Sequence, residues 1–198
     1  MSAILAALLL AVSAPAILRA QGLDASALFE AFARQPGARM EETTTPQGLV
    51  TSVEANGVRM SRMGEGDSTS FVEQDVSGKG AVLCAWGLTG IFSVLLDACR
   101  PDDAAEARED TAHALRDMLA FILANDLARR PRSFWESQLE TQRAQARQFT
   151  SEQVHRICRR EQNRQILNAY INTPSDERRR RIAELLSVPR QPVVNPCL

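Results

Sequence analysis

The chain has 198 residues, 44% of them hydrophobic, and 23 Lys and Arg against 24 Asp and Glu give a net charge of −1. That length suits one sizeable domain or two small ones. The near-neutral balance excludes a dedicated nucleic-acid binder, which would carry a marked basic excess.

The first twenty residues hold a single charged side chain, Arg19. Residues 4–12 are unbroken apolar and run into the small-residue break Ser13-Ala14-Pro15-Ala16. A short greasy helix followed by such a break has the form of a signal peptide. Cuts after Ala16 or after Ala20 both fit. The expectation is therefore a leader over residues 1–20 and a periplasmic or secreted mature chain of roughly 178 residues.

Asp24 is placed to cap a first helix over about 25–34, with Leu28, Phe29 and Phe32 on one side. Pro36-Gly37 ends it. The next forty or so residues are rich in Thr, Val, Ser and Gly, with turn signals at Pro46-Gln47-Gly48, Asn56-Gly57 and Gly64-Glu65-Gly66-Asp67. Strands are predicted over about 38–44, 49–55, 58–63 and 69–76, and such short connections imply an antiparallel meander. Asn56-Gly57 is the strongest local signal, since a type I′ hairpin needs positive φ at both turn positions. Leu49, Val53 and Ala55 alternate onto one face, and Val58 and Met60 continue it.

From Lys79 onward the pattern is helical. Residues 80–96 form an uncharged run of 17 between Lys79 and Asp97. Pro101-Asp102-Asp103 starts the next helix, in which Ala112, Leu115, Leu119, Ile122 and Leu123 recur at three- and four-residue spacing. Arg130-Pro131 breaks it. A polar helix follows from about Ser133, anchored by Phe134, Trp135 and Leu139. Thr150-Ser151-Glu152 restarts a helix that carries Val154, Ile157, Cys158, Ile166, Leu167 and Tyr170. Thr173-Pro174-Ser175-Asp176 opens the last one, which ends near Leu186. Pro189, Pro192 and Pro196 make the tail extended. The fold class expected is α+β, a helix and small β-meander over residues 21–78 followed by a disulfide-stapled helical bundle over residues 79–198. The two parts form separate domains or a single one.

Four cysteines behind an export signal imply two disulfides. On one unbroken helix Cys84 and Cys99 lie about 22 Å apart, too far to join. If successive helices run up and down, Cys99 and Cys158 fall at the same end of the bundle, leaving Cys84 for Cys197. The alternative, Cys84 with Cys99 and Cys158 with Cys197, needs a helix break at Gly87 or Gly90.

Candidate sites are few. Glu152, His155, Cys158 and Glu161 recur every three residues, but that spacing drifts around a helix and does not converge on one ion. His113, with Glu109, Asp110 and Asp117 three or four residues away, is either a His–carboxylate pair or part of a solvated acidic face. Residues 102–126 hold seven acids against two arginines, whereas residues 129–190 hold fourteen arginines against seven acids. The densest run, Arg178, Arg179, Arg180 and Arg181, either faces an acidic protein or an anionic envelope surface, or pairs internally with Glu177, Glu184 or the acidic helix. No phosphate loop, nucleophile elbow or HExxH occurs, and no cofactor or metal is expected.

The expectation is a non-enzymatic interaction protein of the envelope, in an accessory, chaperone-like or inhibitor role, with a protein partner. Two alternatives stand beside it. One is an exported hydrolase built on scattered carboxylates such as Glu73 and Asp75. The other is a membrane-tethered protein that uses residues 80–96 as a span.

Overall fold

The computed structural model describes residues 25–46, 48–64, 68–100 and 104–197. The expected leader over residues 1–20, the Asp24 cap and the Pro101-Asp102-Asp103 start lie outside them. The chain divides into two compact units, one up to Gln74 and the other from Asp75 onward.

The first unit is helix α1 (Ala25–Ala33) on an antiparallel four-stranded sheet of order β1-β2-β3-β4. The strands are β1 (Arg39–Thr45), β2 (Gly48–Ala55), β3 (Val58–Met63) and β4 (Ser70–Asp75). Asn56 and Gly57 take φ of 50° and 76°, as the hairpin requires, and register Ala55 opposite Val58 and Val53 opposite Met60. Those four residues are buried, as are Leu28, Phe29 and Phe32 of α1. Phe29 also meets Phe71 at 5.9 Å, and Arg62 lies over the Phe29 ring. Leu49 shares the inward parity but is 45% exposed.

The second unit holds six helices among the described residues: α2 (Val82–Cys99), α3 (Ala105–Asn125), α4 (Arg132–Arg147), α5 (Ser151–Arg159), α6 (Glu161–Asn172) and α7 (Ser175–Leu185). α2 is central and packs against α3, α4, α5 and α6. One core cluster gathers Val82 and Trp86 of α2, Leu115, Met118, Leu119 and Ile122 of α3, Trp135 of α4 and Leu185 of α7. Another joins Leu96, Ala104, Ala107 and Leu167. α2 has no break. A Cβ on Gly90 would sit 2.7 Å from Gln142 Oε1 and 2.9 Å from Leu139 Cδ2, so the ends of these two α4 side chains occupy the space over the glycine.

Two elements depart from expectation. The helix restarting at Thr150 is not continuous to Tyr170. It turns at Arg160 (φ −58°, ψ 124°), whose N–H donates to the Ile157 carbonyl, and Asn163 Nδ2 donates to the same oxygen at 2.8 Å. The last helix begins after Pro174 rather than after a Thr173 cap, because the Thr173 hydroxyl donates backward to Ala169 O at 2.8 Å.

Cys84 is joined to Cys197 and Cys99 to Cys158, with Cα separations of 5.3 and 5.4 Å. This is the connectivity that the up-and-down order of helices favours. The bonds close sequence separations of 113 and 59 residues, and the second loop is nested inside the first. Taken singly, each restricts the unfolded chain by about 4–5 kcal/mol on the chain-entropy model.

Candidate functional site

The residues singled out on α3 and on α7 meet in one place. Asp110 of α3 is 3% exposed and Arg178 of α7 is 6% exposed. Arg178 donates from Nε and Nη2 to Asp110 Oδ2 at 2.9 and 2.6 Å, and Arg179 Nε donates to Oδ1 at 2.8 Å. Burial pushes the Asp110 carboxyl up. Hydrogen bonds from Ser175, Arg179 and Arg178, together with the Arg178 charge, outweigh that and hold it below its ordinary value. The same carboxylate holds Arg179 above its usual value.

Arg178 has a further task. Its Nη1 donates to the carbonyls of Tyr170, Ile171 and Thr173, which caps the C-terminus of α6. The guanidinium lies 5.5 Å from the Tyr170 ring centroid, and that ring stacks on Phe92 at 5.0 Å. Thr111 donates to Ala107 O, so its other bond, 2.8 Å to the Tyr170 oxygen, is one in which the phenol donates. Burial raises the Tyr170 pKa and keeps the donor neutral. One arginine thus ties α3, α6 and α7 together.

Beside this network lies a half-open groove of about 400 Å³, lined among others by Thr89, His113, Asp117, Arg179, Arg181 and Ile182. His113 is half-exposed, with Nε2 3.9 Å from Glu109 Oε1. Asp110 also borders the groove, but both of its oxygens are engaged by donors, which leaves it a poor proton acceptor. The His–carboxylate arrangement therefore sits on a charge-paired surface.

Of the four consecutive arginines, Arg178 is buried and inaccessible to a partner. Its place on the helix turns it toward α3. Arg180 and Arg181 are exposed and share Glu177, which their charges and hydrogen bonds hold below its usual value. Arg179 is exposed while anchored to Asp110. Cys158 is oxidised, Glu152 lies 3.9 Å from Arg156 and Glu161 lies 3.4 Å from Arg164, so these residues do not assemble as metal ligands. Among the described residues, no cluster of His, Cys, Asp and Glu suits a metal ion.

Sequence reasoning missed a second buried ion pair. Arg190 Nε donates to Asp75 Oδ2 at 2.6 Å, and both side chains are closed off from solvent. Arg190 also serves the carbonyls of Gly80, Leu185 and Val188. The partners are 115 residues apart, and no local spacing announces them. Asp75, offered as half of a carboxylate pair with Glu73, is thereby committed to structure. The pair of Asp126 with Arg130, at 2.7 Å, follows ordinary i,i+4 spacing and was open to detection.

α2 meets the length and composition of a membrane span, with a mean hydropathy of 1.8. Cys84 and Cys99 lie near its two ends, about 22 Å apart at 1.5 Å per residue, and both are oxidised. If α2 crossed a plasma membrane, one of the two disulfides would face the reducing side. Comparison of the chain with family models, with curated proteins and with solved structures finds no match.

Proposed function

We propose that this chain is an exported, non-enzymatic protein of the bacterial envelope that works by binding a protein partner in the periplasm or outside the cell, in an accessory, chaperone-like or inhibitor role. The observation that carries this reading is the pair of nested disulfides across the helical unit. They are compatible with an oxidising compartment, where such bonds form and persist. The apolar run over residues 4–12, with its small-residue break, supports export. Arg180 and Arg181, with the exposed flank of Arg179, offer a basic surface that would steer an acidic partner.

The test is affinity capture from an envelope extract at low salt, using the native chain and the variant R180E/R181E. These two residues pair with half-buried Glu177 and not with Asp110, so their reversal leaves the Asp110 network in place. Recovery of a partner by the native chain and its loss with the variant is the expected result. Equal recovery by both removes the electrostatic docking surface. Native material that keeps residues 1–20 and carries four free thiols removes the exported reading itself.

A further inference from the structure

The two disulfides do unlike jobs. Cys84–Cys197 pins a tail that other bonds also hold. Asp75 N donates to Asn195 O at 2.7 Å, and Leu83 N donates to Val193 O at 3.1 Å. Gln191 Oε1 accepts from Leu127 N at 2.9 Å, and Arg190 is buried in its ion pair with Asp75. Val193 is itself part of the core. Breaking this disulfide leaves the tail with its own anchors.

Cys99–Cys158 has thinner support, since α5 packs on α2 and α6 through half-buried residues only. α5 has nine residues and no fully buried one, and its inward side is Val154, Ile157 and Cys158, all half-buried. Its side-chain bonds stay local. Thr150 and Gln153 form a reciprocal capping box, Glu152 faces Arg156, and Asn163 ties its end to α6. A helix of this length is marginal without tertiary contacts. In the preceding α4, Trp135, Leu139 and Gln142 meet the bundle, and the turns after Gln142 carry mostly exposed residues. Both sulfur-bearing residues are half-buried rather than sealed in the core, so a small or protein dithiol can reach them.

We infer that Cys99–Cys158 is a redox-sensitive latch, and that a dithiol opens it to release residues 143–160 while the rest of the helical unit stays packed. A thiolate of the dithiol attacks one sulfur of the bond. The Cys99–Cys158 bond breaks and a mixed disulfide forms. The second thiolate of the donor then displaces the remaining cysteine. The dithiol leaves as a disulfide, and its two electrons and two protons end on Cys99 and Cys158 as thiols. The inference stands apart from the identity of any partner, because it concerns the isolated chain.

Hydrogen exchange on the full chain tests it. C99S/C158S should lose protection at the amides of α5 by about tenfold or more, with α3 and α7 unchanged, as a local opening requires. Trypsin cleavage after Arg156 and Arg159 should quicken by a similar factor. C84S/C197S should leave the Asp75 and Leu83 amides protected. Graded reduction of C84S/C197S with dithiothreitol, followed by thiol alkylation, opens Cys99–Cys158 without substituting it. Unchanged α5 protection overturns the latch. A fall in protection across all the helices together also overturns it, because the bond would then be a global staple. Loss of the Asp75 and Leu83 amides in C84S/C197S removes the asymmetry between the two bonds.

Discussion

The helical unit contains two regions held in different ways. In one, the first half of α2, α3, the start of α4 and α7 share a core of large side chains. Met118 and Ile122 are fully buried, and Trp86 meets the edge of Trp135 at 5.9 Å. Two buried ion pairs frame that core, Asp75 with Arg190 and Asp110 with Arg178. In the other, the end of α4 and all of α5 form an arm with half-buried apolar residues and one covalent link. Packing and charge make the first region rigid through many partners. In the second, one covalent bond substitutes for a core. A cross-link counts for most where few other contacts hold the chain.

The difference predicts where substitutions will be felt. Both tryptophans of the chain lie in the second unit, so their fluorescence during denaturant unfolding reports on it alone. The largest effect is expected for Asp75→Ala. It strands the Arg190 guanidinium in a dry site, at about 3–5 kcal/mol, the usual cost of breaking a buried pair from one side. An unchanged midpoint would mean that the three carbonyls around Arg190 suffice for it.

Asp110→Asn comes next, at about 3 kcal/mol, since Arg178 and Arg179 lose their charged acceptor while one oxygen remains. It carries a pH signature. The folded carboxyl titrates below its ordinary value of 3.8, so the stability it confers is full above that value. That stability is lost as the pH falls through the lower, folded value. Native protein should therefore weaken more steeply than Asp110→Asn between about pH 5 and about pH 2. Parallel curves would deny Asp110 this role.

Much of the first unit was legible because its signals are local. Asn56-Gly57 dictates the hairpin, and alternation from Val53 to Met60 dictates the inward face. Of the two disulfide pairings left open by the sequence, the one that an up-and-down helix order favoured is present, although Cys158 sits in the last turn of α5 and not at its start. What could not be read was set by distant partners. Nothing near Asp75 points to Arg190. Nothing in four adjacent arginines says that Arg178 alone turns inward to cap α6. The break at Arg160 was hidden because its sequence is as polar as the helices on either side. Gly90 read as a weak point in an apolar helix, and the side-chain ends of Leu139 and Gln142 of α4 lie directly over it.

That last position gives the third prediction. Gly90→Ala places a methyl group within 3 Å of the side-chain ends of Leu139 and Gln142, which must swing aside, and that cost should cancel the gain of about 1 kcal/mol from replacing a helical glycine. Gly87→Ala, whose Cβ would meet open space on the same helix, should keep that gain. Equal gains at both positions would show that helix propensity, and not the two α4 side chains, governs the site.

The smallest effect is expected in the arm, and its size is the informative part. Thr150 accepts from Gln153 N at 3.2 Å, while the Gln153 side chain accepts from Thr150 N at 2.8 Å. Thr150→Ala removes half of this box, at about 1 kcal/mol to the helix it caps. If the arm is held by its covalent link and little else, that cost stays local. Amides of α5 would exchange faster while the tryptophan-detected midpoint hardly moves. A midpoint shift as large as the local one would mean that the arm folds with the core as one cooperative body, and the contrast between the two regions would have to be given up.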